Sequence, residues 1–249
     1  DSDRETTMSR YDPKRIVDRA LARIMVRLGV RLERSRQAIG HSTLPRFASD
    51  APGLEVRPPF EILHAHRIVL GRDVKLGPNC VLKPVVRFPG SWLRHPDGDH
   101  VEQAFDPILR IGDRVTATGG LQIAVFERVT IEDDVMFAAN VFIADGTHAS
   151  ARGDLPYKYQ GIDRVAPVHI GQGSWIGQNA VVSPGVAIGA HAIVGANSVV
   201  TRDVPAGCVA AGAPARIVKR WDAHHEVWRA FEGTGAGPED RIEHEEATS

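Results

Sequence analysis

A six-residue repeat of aliphatic residues dominates the sequence between Pro167 and Val218. An α-helix turns by about 100° per residue, so positions six apart would be spread around it, whereas an even period keeps them on one face of an extended chain. The stretch is therefore predicted to be β-strand. The repeated aliphatic residues are Ile170, Ile176, Val182, Ile188, Val194 and Val200.

Small residues divide this stretch into short strands. Glycine follows four of the six aliphatic positions, where a chain that bends after each strand favours a residue without a Cβ atom. Short strands with a corner every six residues predict a parallel β-helix. The glycines are Gly171, Gly177, Gly189 and Gly195, and the residues four after each aliphatic are the small or β-branched Ser174, Ala180, Val186, Ala192, Ser198 and Val204.

Residues 175–219, which begin WIGQNAVVSPGVAIG and end CVAAGAPARIVK, resemble the hexapeptide-repeat acyltransferases. In particular, they look like the sugar and polysaccharide O-acetyltransferases of the maltose- and galactoside-acetyltransferase type. The resemblance implies an all-β core formed by a left-handed parallel β-helix. It also implies acetyl-CoA or another acyl-CoA as co-substrate, and a homotrimer.

The pattern predicts three regions: residues 1–60 with a basic helix and a proline-rich linker, the β-helix over 61–218, and a closing helix with an acidic tail over 219–249. Residues 13–36 have helical spacing of apolar residues, and Lys14 to Arg36 carries eight basic and two acidic residues, a local charge of +6. Two interpretations stay open: a helix packed on the coils or on a neighbouring subunit, or weak contact with an anionic membrane surface. The closing helix is predicted from WDAHHEVWRAF, since the end of a β-helix must be covered against edge pairing.

Two segments interrupt the repeat. Residues 83–110 have no period and are predicted to be an excursion from the coil, and residues 149–169 form an insertion at a corner. Between them, the repeat slips by two positions before it resumes at Ile131. Long loops in compact domains are often functional, so both segments are candidates for the walls of a site.

The segment NVFIADGTHAS, residues 140–150, resembles the part of the family in which a catalytic histidine ends a coil before an external loop. His148 falls on that position, and histidine is well suited to general-base catalysis near neutral pH. Asp145 resembles the aspartate of the polysaccharide O-acetyltransferases, where it would orient the imidazole or bind acceptor hydroxyls. A plain turn-forming aspartate is the competing interpretation.

The resemblance also assigns the donor side of the site. Trp175 would line the cleft shared with the cofactor, although packing against a neighbouring subunit is the alternative. Backbone amides near Gly177 and Gln178 would receive the developing oxyanion. Contact with coenzyme A, whose phosphates suit basic side chains, is implied for Ala196, Thr201, Arg202, Arg216 and Lys219.

These residues predict an acyl-CoA-dependent O-acyltransferase in which His148 takes the proton of an acceptor hydroxyl. The DGTH segment, Tyr159-Gln160-Gly161 and Trp175 together resemble enzymes with a sugar or glycan acceptor. One alternative is a metal enzyme like the γ-carbonic anhydrases, whose histidine spacing His95 and His100 resemble. Because these histidines lie in an aperiodic segment, no metal site is assigned. The other alternative is a non-catalytic β-helix scaffold.

Composition sets wider bounds. The net charge of −1 predicts no general attraction to nucleic acid. Cys80 and Cys208 form no CxxC pair, so neither a disulfide framework nor a thiolate metal site is indicated, and a reducing cytoplasm is the expected location. No apolar run approaches the ~18 residues of a membrane span, and the first residues show no signal-peptide pattern.

Overall fold

The computed structural model describes residues 21–32, 44–90, 94–95, 97–98 and 100–231. The chain divides into two units, Asp1–Thr43 and Leu44–Ser249. In the first unit, residues 21–32 form helix α1, and every residue in it is exposed. The rest of the helix predicted over 13–36 lies outside the described residues, as does the acidic tail over 232–249. Membrane contact through the basic helix stays a prediction.

The second unit is built from three large sheets, which are parallel except for the last two strands of the first. Nine strands form the first, in the spatial order β1 (Glu55–Val56), β4 (Lys75–Leu76), β9 (Thr116–Ala117), β12 (Met136–Phe137), β17 (Trp175–Ile176), β20 (Ile193–Val194), β22 (Cys208–Gly212), β23 (Ala215–Asp222) and β24 (Val227–Ala230). Six form the second: β2 (Phe60–Ile62), β5 (Cys80–Pro84), β10 (Gln122–Val125), β13 (Phe142–Ala144), β18 (Val181–Val182) and β21 (Val199–Val200). Five form the third: β19 (Ala187–Ile188), β16 (Val168–Ile170), β11 (Arg128–Ile131), β8 (Ile108–Ile111) and β3 (Ile68–Leu70).

Two short antiparallel pairs stand outside these sheets. They are β6 (Arg87–Phe88) with β7 (Gln103–Ala104), and β14 (Thr147–His148) with β15 (Ile162–Asp163). The described residues of this unit also form two single turns of 3₁₀-helix, Ala65–Arg67 and Tyr157–Tyr159.

One strand from each large sheet makes one turn of the coil. Trp175 pairs in parallel with Ile193, which is 18 positions, or three hexads, further along the chain. The repeated aliphatic residues point inward and are almost wholly buried, as the even period requires. The prediction of a parallel β-helix is therefore confirmed. Burial of this continuous apolar column is the main stabilising contribution to the unit.

The coil corners use residues suited to close stacking. A Cβ atom at Gly77 would collide with the backbone carbonyl of Thr118 in the next coil, so only glycine fits there. At the same corner, between the first and second sheets, Asn140, Asn179 and Asn197 adopt positive φ angles of 58–59°. Their side chains form a ladder, with Nδ2 of Asn140 donating to Asn179 at 3.3 Å and Nδ2 of Asn179 donating to Asn197 at 3.0 Å.

Both excursions leave the coil at the same corner, between the second and third sheets. The first runs over residues 85–107, from the end of β5 to the start of β8, and the second runs over 145–167, from β13 to β16. The predicted bounds were 83–110 and 149–169. All four were wrong by two to four residues, because the strands that flank the excursions are longer or shorter than one hexad allows. One uninterrupted corner, between β10 and β11, separates the two.

Two other predictions were wrong. The predicted linker, which ends at residue 60, contains β1 and the first residue of β2, because Val56 is already buried in the core and pairs with Leu76. The predicted closing helix is a pair of antiparallel strands, β23 and β24, in which Trp221 faces Trp228. These strands continue the first sheet beyond β22, so the open edge is covered by strand pairing rather than by a helix.

Candidate active site

The two excursions fold against each other and form a lobe over the corner between β10 and β11. Phe88 from the first excursion, Ile162 from the second and Phe126 from the corner make a buried apolar cluster beneath the lobe. Phe105 adds an edge-to-face contact with Phe126, with ring centroids 5.2 Å apart. The lobe therefore has a small hydrophobic core of its own, separate from that of the coil.

Polar contacts join the excursions above this cluster. The side-chain amide of Gln103 donates from Nε2 to the carbonyl oxygen of Ile162 at 2.9 Å and accepts the N–H of Ile162 through Oε1 at 2.7 Å. The N–H of Val101 donates to the carbonyl oxygen of Tyr159 at 2.9 Å. Residues 101–103 thus run beside residues 159–162 almost as an added strand.

His148 lies within the second excursion, in strand β14, and not immediately before it as the sequence suggested. It stands opposite Ile162 in β15, and its ring meets that of Phe88 edge-to-face, with centroids 5.6 Å apart. The side chain is exposed. A histidine that is held by a strand pair and an aromatic ring, yet open to solvent, is placed to exchange protons with a bound molecule.

A cleft of about 790 Å³ opens on one side of His148. Its walls are largely apolar and come from the earlier coils and the first excursion, including Leu63, Val86 and Phe88. Lys83 and Arg94 add positive charge, and each has an acidic neighbour, at 3.9 Å in Glu61 and at 3.6 Å in Glu102 respectively. A concave, mainly apolar site with a few polar groups is typical of small-molecule binding.

A second cleft, of about 390 Å³, opens on the other side of His148. It is lined by Phe142 of β13 and by residues 181–184 of the following coil, together with Gly146 and Thr147. His148, Phe126 and Ile162 line both clefts. The imidazole therefore stands between a cleft that faces the earlier coils and one that faces the later coils.

Asp145 is fully buried and does not orient the imidazole through any hydrogen bond found among the described residues. Its carboxylate accepts the backbone N–H groups of Phe126, Glu127 and Arg128 at 2.7, 2.8 and 2.7 Å. Burial raises the pKa of the Asp145 carboxyl, and the three amide donors, which favour the ionised form, oppose that rise. Its contacts are those of a structural aspartate that braces the corner beneath the lobe.

Trp175 and Gly177, two of the residues predicted for the donor side, lie away from both clefts. Trp175 is 44% exposed on the outer face of the first sheet, between Met136 and Ile193, and lines neither cleft beside His148 in the described part of the chain. The N–H of Gly177 donates to the carbonyl oxygen of Val194 at 2.8 Å, so it is not available to an oxyanion. Of the two predicted amides, only that of Gln178 remains a candidate.

The residues predicted to contact coenzyme A gather in the last coils. Ala196 follows β20, Thr201 and Arg202 follow β21, and Arg216 and Lys219 lie on β23. All five side chains are exposed. They come later in the chain than residues 181–184, which wall the smaller cleft, but none of them lines it. Their role in donor binding stays a prediction.

The histidines of the alternative metal site lie in the lobe. His95 packs edge-to-face on Tyr159, with ring centroids 4.7 Å apart, and His100 lies 3.6 Å from a carboxylate oxygen of Glu102. Across residues 21–32 and the described parts of 44–231, no group of three or more potential ligands could hold a metal ion. Among the same residues, no helix is long and apolar enough to cross a membrane.

Sequence reasoning missed the residues that build the lobe, above all Gln103, Phe88 and Phe126. Nothing in the aperiodic segment distinguishes them, because their partners lie in the other excursion. One signal was available. The repeat slips by two residues before Ile131, which marks a corner between β10 and β11 that is two residues longer than the others. The carboxylate of Asp145 accepts three backbone N–H groups at this corner.

Comparisons with known proteins agree with the coil. The family described as bacterial transferase hexapeptide (six repeats) matches residues 167–202. The chain is 36% identical over 127 residues to WbbJ of Escherichia coli (strain K12), named as a lipopolysaccharide biosynthesis O-acetyl transferase, covering 49% of this chain and 65% of that protein. It is 33% identical over 134 residues to galactoside O-acetyltransferase of the same strain, covering 52% and 60%. The chain thus spans less than two thirds of either relative.

A solved structure extends the likeness to the fold. A variant of AntD, an N-acyltransferase from Bacillus cereus in complex with dTDP and coenzyme A, is similar with a TM-score of 0.55 and 15% identity, covering 72% of this chain and 86% of that one. With the family match and the parallel coils, this confirms the predicted fold class, a left-handed parallel β-helix.

Proposed function

We propose, on the premise that this chain carries the hexapeptide repeat of the bacterial transferases, that it is an acyl-CoA-dependent O-acyltransferase. The acyl group, acetyl in the first instance, passes from coenzyme A to a hydroxyl of a sugar or glycan. The names of the two Escherichia coli relatives support this choice of reaction and acceptor, because both are named as O-acetyl transferases, one of galactosides and one of lipopolysaccharide biosynthesis.

The observation that carries the proposal is the position of His148 between two clefts. The larger cleft, walled by the first excursion, has the size and the mixture of apolar and charged groups expected of an acceptor site. The smaller cleft opens toward the coils that hold the predicted donor residues. Acceptor and thioester can therefore approach the same imidazole from opposite sides, as direct transfer requires.

In the proposed mechanism, His148 removes the proton of the acceptor hydroxyl as its oxygen attacks the thioester carbonyl. The carbonyl electron pair moves onto oxygen. The N–H of Gln178, the amide predicted to stabilise this oxyanion, lines neither cleft of its own subunit, so a neighbouring subunit of the proposed trimer would have to supply it. The tetrahedral intermediate collapses, the carbon–sulfur bond breaks, and the thiolate of coenzyme A takes the proton from the imidazolium. The products are the O-acyl acceptor and free coenzyme A, with no covalent enzyme intermediate.

A homotrimer is part of the proposal. Met136, Trp175, Ile193 and Val209 stand in one row on the outer face of the first sheet, each paired with the next. Met136 and Trp175 are 46% and 44% exposed. Such a row of apolar side chains on a flat face of the coil is suited to burial between subunits.

Substitution of His148 tests the mechanism. A positioned general base contributes roughly 10²- to 10⁴-fold, so His148→Ala is expected to lower turnover by about that factor. Coenzyme A affinity and the melting temperature should change little, because the side chain is exposed. His148→Asn should behave alike, since an amide cannot take the proton.

His169→Ala is the matched control, because His169 lies on the third sheet beside Glu132, away from both clefts. It should keep full turnover. If His148→Ala retains more than about a tenth of the wild-type turnover, which is outside the range of a general base, the assignment is wrong.

A further inference from the structure

His148 belongs to a closed circuit of four residues, each in contact with the next. His148 stands opposite Ile162 in the β14–β15 pair, and Phe88 stands opposite Gln103 in the β6–β7 pair. Two contacts between the excursions close the circuit. The Gln103 amide bonds both main-chain groups of Ile162, and the Phe88 ring packs on the His148 imidazole. Each excursion thus contributes one strand pair. Each pair is also held by contacts with the other excursion.

The chemistry of Gln103 suits this position. A primary amide presents one donor and one acceptor in a plane, as a peptide group does, so it can satisfy the N–H and the carbonyl of one residue together. His148 lies beside one edge of β15. The N–H and carbonyl groups of Ile162 point away from that edge, toward Gln103. Burial beside Phe88 would make the loss of these two bonds costly, since main-chain groups shielded from water need partners.

The close approach of Gln103 is also accommodated by its neighbour on the second excursion. Gly161 has a φ of +93°, and a Cβ atom there would lie 2.9 Å from Oε1 of Gln103 and 3.1 Å from a methyl group of Val101. Any residue other than glycine would therefore displace the Gln103 amide, and it would also have to adopt an unfavourable positive φ. Position 161 is thus adapted to the amide that bonds position 162.

We propose that Gln103 is a positioning residue for His148, an inference that rests on the proposed acyl transfer. It fixes β15 on the side away from His148, and it fixes Phe88 through the β6–β7 pair. The orientation of the imidazole toward the two clefts therefore depends on a side chain that does not touch it. The first excursion is part of the catalytic apparatus and not only a wall of the acceptor cleft.

The test replaces Gln103 with Met, which has similar length but cannot form the two hydrogen bonds. A misplacement of about 1 Å can cost about 10²-fold in rate, so Gln103→Met is expected to lower kcat by roughly 10- to 100-fold. KM for acetyl-CoA should stay within about twofold, because the residues predicted to contact coenzyme A lie in the last coils and do not touch Gln103. Gln172→Met is the matched control, since Gln172 is exposed on a coil corner, and it should leave both constants unchanged.

Two measurements report on the circuit without using activity. Hydrogen exchange should accelerate at the N–H of Ile162, which loses its acceptor, and at the N–H of Ala149, which bonds the carbonyl of Gly161 across β14–β15 at 3.0 Å. The nuclear magnetic resonance shifts of the His148 ring protons should move toward unstacked values as Phe88 shifts. If Gln103→Met fails to fold, Gln103→Glu, which keeps the acceptor but loses the donor, is measured against the same criteria.

The outcomes separate this inference from the proposed function. If the wild-type protein transfers no acyl group but Gln103→Met still changes exchange and the His148 shifts, the function is refuted and Gln103 still positions His148. If the wild-type protein is active and Gln103→Met keeps kcat within about twofold, with exchange and shifts unchanged, the inference is overturned. The same holds if KM for acetyl-CoA rises while kcat does not fall.

Discussion

Replacing Asp145 should destabilise the coil far more than a typical polar substitution. Its carboxylate accepts three backbone N–H groups from residues 126–128 at 2.7–2.8 Å and is shielded from water. A hydrogen bond to a charged group contributes about 1.5–3 kcal/mol, so three would contribute about 5–9 kcal/mol if every amide stayed dry. Glu127 and Arg128 are exposed residues, and water can reach their amides once the carboxylate is gone. We therefore expect Asp145→Ala to lower the free energy of unfolding by about 3–5 kcal/mol.

Asp145→Asn gives a sharper version of this test, because it keeps the shape of the side chain. Its one oxygen can serve some of the three donors, while its NH₂ group faces N–H groups that it cannot satisfy, so a loss of about 2–4 kcal/mol is expected. Urea unfolding followed by circular dichroism measures the effect. The control is Asp203→Asn, because Asp203 is exposed and accepts one N–H, that of Ala187 at 2.8 Å; it should cost about 1 kcal/mol or less. A loss below about 1 kcal/mol in Asp145→Asn would refute the bracing role.

Two further predictions concern the donor and the assembly. Replacing the three basic residues of the last coils by Ala should raise KM for acyl-CoA and leave KM for the acceptor unchanged, since phosphate contacts are remote from the thioester. Steady-state kinetics measures both constants. An unchanged KM for acyl-CoA in all three variants would show that the donor lies elsewhere. The three variants are Arg202→Ala, Arg216→Ala and Lys219→Ala. Light scattering at micromolar concentration should report a trimer, and Trp175→Glu should reduce its mass because a charge would enter the apolar row; a monomeric wild-type protein would contradict the proposal.

The coil was predictable because each of its positions is repeated. The even spacing of Ile170, Ile176 and Val182 fixes which side chains point inward, and a single sequence contains enough copies to show the period. The closing strands were missed for the opposite reason. WDAHHEVWRAF occurs once, and its helical pattern competes with the open edge of β22, which the sequence does not display.

The site was predictable only where family resemblance reached it. His148 was found from a local motif, and the structure places it between two clefts, but the residues around it come from distant parts of the chain. Gln103 and Ile162 are 59 positions apart, and no local pattern indicates that they meet. Asp145 was found from the same motif, yet its burial beneath three amides points to a structural role.

The position of the two excursions has a consequence for the order of folding. Each leaves the same edge of the coil, but an uninterrupted corner lies between them, so the bond from Gln103 to Ile162 can form only after the intervening coils have stacked. Loop closure over a long separation is slow and costs entropy before any contact repays it. The lobe should therefore be completed late in folding, and a partly stacked chain would bury much of its aliphatic column while lacking an ordered His148. Activity in a refolding experiment would then appear after most of the strand signal, which makes the site itself a reporter of completed stacking.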